Sequence, residues 1–71
     1  MSKKSIENLQ KYTILYEKYK GALTQNQQQA FELYFYNDLS YAEVAQILAA
    51  TRSAAYDSVT KAIKKLEKFE E

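Results

Sequence analysis

Proline is absent from all 71 residues, and glycine occurs once, at Gly21. Tight β-turns draw on both, Pro for its fixed φ and Gly for positive φ. A chain without them is poorly suited to hairpins. It must change direction where helices end, and helix starts are marked by polar caps. Cys and His are absent as well. That excludes disulfide frameworks, thiolate or imidazole zinc sites and the usual general base. Carboxylates are scattered, no nucleophile has a His or Cys partner, and no Gly-rich phosphate loop exists. An enzyme is therefore not expected, nor is any cofactor or metal.

Hydrophobic periodicity and caps predict an all-α bundle of four helices in a single domain over residues 1–71. The first helix is expected over about 5–20. Leu9, Tyr12, Tyr16, Tyr19 and Leu23 recur at steps of three and four, and Ile6 and Leu15 widen the stripe. Ser5 is its expected cap, and Gly21 is expected to close it in the left-handed conformation. Thr24-Gln25-Asn26-Gln27 has the form of a capping box opening a second helix over about 25–36. Phe31, Leu33, Tyr34 and Phe35 make that helix apolar around much of its circumference, so it belongs at the centre or against a partner. Ser40-Tyr41-Ala42-Glu43 is a second box, opening a short helix over about 41–48 with Val44, Ala45, Ile47 and Leu48 inward. Thr51 caps a fourth helix over about 52–69, with Ala55, Val59, Ala62, Ile63, Leu66 and Phe69 on its inner face.

Seven Tyr and three Phe argue against disorder. They also form more aromatic stripes than four short helices are expected to cover, so a two-fold homodimer is expected. Net charge is only +1, with the cations at the two ends and Glu32, Asp38 and Glu43 in the middle. No apolar run approaches the ~20 residues of a membrane span, and the start lacks an export signal, so a cytoplasmic location is expected.

The informative stretch for function is Leu39 to Lys61. A short helix, a tight corner and a Thr-Arg cap leading into a longer helix is the sequence form of a helix-turn-helix. Small residues are needed where two helices cross steeply, and Ala45, Ala49 and Ala55 supply them. The expected nucleic-acid-binding residues are Thr51, Arg52, Ser53, Tyr56, Thr60, Lys61 and Lys64. Arg52 can donate to a guanine edge or a phosphate. Thr51 and the free amides of the first turn suit a phosphate. Tyr56, Thr60 and Lys61 follow about one turn apart, and Lys64, Lys65 and Lys68 offer backbone contacts farther along. Asp57 stands among them and repels phosphate. Capped helical hairpins also occur in proteins that bind no nucleic acid. A protein-interaction adaptor, using the acidic, aromatic middle of the chain, is the competing reading.

Ile14-Leu15-Tyr16 through Tyr19, Leu23-Thr24-x-x-Gln27, Glu32-Leu33-Tyr34-Phe35 and Asp38-Leu39-Ser40 form one familiar set. Glu43-Val44-Ala45, Thr51-Arg52-x-Ala54-Ala55-Tyr56-Asp57 and Leu66-Glu67-x-Phe69-Glu70 continue it. Together they resemble the YlxM family of helix-turn-helix proteins, which is similar to region 4 of bacterial sigma factors. The resemblance implies an all-α fold and a cytoplasmic bacterial protein that acts as a regulator. It also implies a link to the signal recognition particle pathway, with that particle's RNA or GTPase as alternative partners. Ala49 stands where the family usually has Gly or Asn, which predicts a strained turn. Thr60 stands where a Lys is typical, and family members usually continue into further helix.

Overall fold

The computed structural model describes residues 6–70, with side chains from residue 9 onward. Helix α1 spans Ile6–Tyr19, α2 Gln25–Phe31, α3 Tyr41–Ile47 and α4 Arg52–Glu67. A 3-10 turn, Lys20–Ala22, follows α1, and a π-helical turn, Glu32–Tyr36, prolongs α2. The fold is thus the expected small all-α bundle, with no strand among the described residues. The expected Ser5 cap lies outside the described residues, as does the Ile6 side chain.

Both capping boxes form. Thr24 Oγ1 accepts from the Gln27 amide at 3.1 Å while Gln27 Oε1 accepts from the Thr24 amide at 3.1 Å. Ser40 Oγ and Glu43 repeat the exchange at 3.2 and 2.9 Å. Each box satisfies two amides that a helix start leaves without intrahelical partners.

Helix α4 touches α1, α2 and α3. Its Ala55, Val59, Ala62, Ile63 and Leu66 are buried, against Val44 and Ala45 of α3, Ala30 and Phe31 of α2, and Tyr12 and Tyr16 of α1 in one core. The alanines let neighbouring helices approach closely. Tyr16 stacks on Phe31 at 4.4 Å, and Phe31 meets Phe35 at 4.5 Å. The core tyrosines keep their hydroxyls at its rim. Tyr12 donates to Glu67 Oε2 at 2.7 Å, and Tyr16 donates to Glu32. Large rings are buried in this way without orphaned polar atoms among the described residues.

Several expectations are corrected. Gly21 is not left-handed. The Leu23 amide closes a 3-10 turn onto the Lys20 carbonyl at 3.0 Å, and Gln28 Nε2 donates to the Lys20 and Leu23 carbonyls at 2.9 and 3.3 Å. With those acceptors satisfied, no left-handed residue is required. Ile47 points outward, 59% exposed, because α3 is two turns long and its inward face is filled by Val44 and Ala45. Helix α4 ends at Glu67, two residues early, and Phe69 is exposed at the end of the stripe, stacking on Tyr19 at 4.3 Å. Tyr34 and most other rings are buried or half-buried, leaving Tyr36, Tyr56 and Phe69 as the exposed aromatics. The core thus absorbs most of the aromatic surface, and Tyr36, Tyr56 and Phe69 keep part of it open.

The predicted strain at Ala49 is present, since this residue has φ +55°. A left-handed alanine costs about 1–2 kcal/mol, of which the greater unfolded entropy of glycine would offset part on substitution. Ala49→Gly is expected to stabilise the chain by about 1 kcal/mol, read as a rise of about 4–8 °C in thermal midpoint. An unchanged or lowered midpoint would contradict the strain.

The Tyr12 phenol is pushed up from about 10 to about 12, first by burial and then by its bond to Glu67. Tyr16 is raised further, by burial and then by Glu32. Both are neutral in the fold at pH values where the unfolded chain has already ionised them. Their contribution is intact below about pH 10 and is lost as pH rises through about 12. Helix content, followed by circular dichroism, is expected to collapse in that window together with the rise of tyrosinate absorbance. Tyrosinate forming in full before helix is lost would show the phenols to be uncoupled from folding.

Candidate nucleic-acid interface

The corner between α3 and α4 is built by backbone hydrogen bonds. The Ala50 amide donates to the Ala45 carbonyl at 2.9 Å and the Ala49 amide to the Gln46 carbonyl at 3.3 Å. With Ala49 left-handed between them, this is a Schellman closure made without glycine. The chain then runs extended through Thr51, whose Oγ1 accepts from the Ala54 amide at 3.0 Å. Helix α4 therefore starts abruptly, and its first turn is exposed. Ala45 and Ala55 are buried at the crossing as expected, whereas Ala49 is exposed in the corner and takes no part in the contact.

Three expected site residues come together here. Arg52, Ser53 and Tyr56, with Tyr41 from the start of α3, line an open cleft of about 350 Å³. The Tyr56 ring, 54% exposed, meets the Tyr41 ring at 5.1 Å and 77°. Tyr41 in turn stacks on Tyr34 at 4.5 Å and 7°. Burial, and then its bond to Tyr34, push the Tyr41 phenol up. Sequence reasoning missed Tyr41. It lies beyond the corner from Arg52, and its one local signal is its place directly after the Ser40 cap.

The other expected site residues are more dispersed. Thr51 acts as the helix cap, with its side-chain oxygen already engaged. Thr60 is half-buried. Lys61 is exposed but paired with Asp57 at 3.2 Å. Lys64 is exposed and lies about 18 Å along the axis from Arg52, from the rise of a helix. Lys65 is turned away from the outer face: it is half-buried and donates to Gln27 Oε1 of α2 at 3.0 Å. Lys68 stands exposed beyond the last turn.

A second, smaller cleft of about 230 Å³ lies between the π turn and the end of α3, lined by Gln29, Glu32, Leu33, Asn37, Ile47 and Leu48. Among the described residues no helix is long and apolar enough to cross a membrane.

Residues 6–71 match the family profile described as "Putative helix-turn-helix protein, YlxM / p13 like". A UPF0122 protein of Thermoanaerobacter sp. strain X514 is 41% identical over 59 residues, which cover 83% of this chain and 50% of that relative. The UPF0122 protein YofM of Lactococcus lactis subsp. lactis is 38% identical over 66 residues, covering 93% and 60%. One from Streptococcus pneumoniae is 37% identical over 65 residues, covering 92% and 59%. The chain thus spans about half to three-fifths of the length of these curated relatives. No solved structure matches it.

Proposed function

Since the chain belongs to the YlxM/p13-like helix-turn-helix family, we propose that residues 1–71 form a single, non-enzymatic domain that binds DNA through α4 and acts as a regulator. The carrying observation is the corner at Ala49 and Thr51, which frees the first turn of α4 and leaves Arg52, Ser53 and Tyr56 exposed on the side of the helix away from its buried stripe. In this reading Arg52 contacts a guanine edge or a phosphate, and Ser53 and Tyr56 flank it. Lys64 and Lys68 reach the backbone farther along, and Lys61 joins them when its pair with Asp57 opens. Resemblance to sigma factor region 4 supports docking of α4 in a major groove. The family resemblance also supports regulation of the signal recognition particle pathway.

Gel-shift titration of duplex DNA at two salt concentrations tests the reading. Arg52→Ala is expected to weaken binding and flatten the salt dependence by about one unit, the signature of one lost phosphate contact. Asp57→Asn is expected to tighten binding several-fold, because it frees Lys61 and removes a repelling charge. Binding that is absent, or insensitive to salt, would end the reading.

One observation favours the adaptor reading instead. Ile47, 59% exposed, sits with the half-buried Leu33 and Leu48 on the second cleft, an apolar spot bordered by Gln29, Glu32 and Asn37. In that reading Ile47→Lys abolishes capture of the signal recognition particle GTPase in a pull-down, while Arg52→Ala leaves it intact. Capture unaffected by Ile47→Lys would remove this surface from consideration. Tyr34, buried and stacked on Tyr41, is unsuited to such a test.

A further inference from the structure

We propose that the cleft between Tyr41, Arg52, Ser53 and Tyr56 holds one unpaired nucleobase and its phosphate, so that the preferred ligand is a duplex bearing an extrahelical base. The inference rests on the nucleic-acid reading of α4 and names the kind of ligand within it.

The cleft is concave and aromatic. At about 350 Å³ it falls near the lower end of small-ligand clefts, about 300–1,000 Å³. Two phenol rings at 77° form its walls, one of them braced from behind by the stacked Tyr34. A ring face of this kind rewards a flat partner. A paired base offers only its edge, because its faces are covered by neighbours in the stack. An unpaired base offers a whole face, and stacking on an aromatic side chain is tolerant of base identity. The exposed Tyr56 ring supplies such a platform. Arg52 and Ser53 stand at the same cleft, where a guanidinium and a hydroxyl suit the phosphate of the same nucleotide.

The charge pattern points the same way. Tight binding along a fully paired backbone needs an array of free cations. On the outer face of α4, Lys61 is paired with Asp57 and Lys65 turns partly inward to Gln27, which leaves Arg52, Lys64 and Lys68 spread along the helix, and net charge is +1. Stacking requires no such array. One seated base gives the tip of α4 a contact that its sparse cations do not provide.

The test is fluorescence anisotropy of the full chain against a short labelled DNA duplex, fully paired, and the same duplex with one added unpaired thymine. RNA duplexes, paired and with one added uracil, form the second arm. The expected result is about tenfold tighter binding to the bulged form, within the worth of one base–aromatic stack. A preference in both arms identifies the base as the ligand whatever its sugar, and a preference in the RNA arm alone identifies an RNA bulge. Tyr56→Ala is expected to abolish the preference and Tyr56→Phe to keep it. Tyr56 lies outside the buried core, so circular dichroism of the alanine variant should match the parent. Equal affinity for paired and bulged duplexes, or a preference that survives Tyr56→Ala, overturns the inference and leaves the α4 reading standing. No binding to any duplex overturns both.

Discussion

The contact on which this fold depends is the inner stripe of α4 against the other three helices. Ala55, Val59, Ala62, Ile63 and Leu66 are nearly inaccessible to solvent, and each other helix touches this rod. A chain this small buries only about 60% of its unfolded surface, so no helix can be lost from the arrangement without stripping the stripe. The alanines matter as much as the larger residues. They set the distance at which α3 crosses, and that distance decides where Tyr41 stands relative to Tyr56. Large rings then fill the space on the α1 and α2 side, their hydroxyls anchored to Glu32 and Glu67 at the rim.

The corners follow a common logic. Helix ends need their carbonyls satisfied, and this chain has almost no glycine for the task. It uses Ala49 and Asp38, both at φ +55°, to turn after α3 and after the π turn. Asp38 adopts this conformation with less penalty than alanine, since a short polar side chain tolerates the left-handed region. Ala49 has no such compensation, and the cost falls at the corner that exposes the tip of α4. Strain beside a binding surface is a common association in proteins. Here it is a consequence of closing a helix by a Schellman bond network and restarting another two residues later.

Most of the architecture was legible because the signals are local. The capping boxes at Thr24 and Ser40 and the cap at Thr51 involve atoms within three residues of one another, and all three form. The apolar period of α4 was legible for the same reason. What escaped depends on distant partners. Gln28 reaching back to the Lys20 carbonyl made a left-handed Gly21 unnecessary. Lys65 is withdrawn from the outer face by Gln27, a residue 38 positions away. Ile47 is outward because a two-turn helix can offer only a narrow face to α4. In the candidate site, Arg52, Ser53 and Tyr56 were legible from their places in the first turns of α4. Tyr41 was not, because its role arises only when the corner folds α3 beside that turn.

The aromatic contacts connect these points. Ring contacts run without a gap from Tyr16 to Phe31 (4.4 Å), Phe35 (4.5 Å), Tyr34 (5.1 Å), Tyr41 (4.5 Å) and Tyr56 (5.1 Å). The series begins in the core and ends on a half-exposed ring at the tip of α4. Tyr41 is therefore held by packing and by Tyr34, whereas an isolated surface tyrosine would sample several rotamers. A wall fixed in this way loses little conformational freedom when a flat group settles beside it. A guanidinium at the same cleft adds a charge there, while farther along the outer face Lys61 is neutralised by Asp57. The cleft at the start of α4 is thus continuous with the hydrophobic core through its rings, and its walls are set by that packing more than by charge.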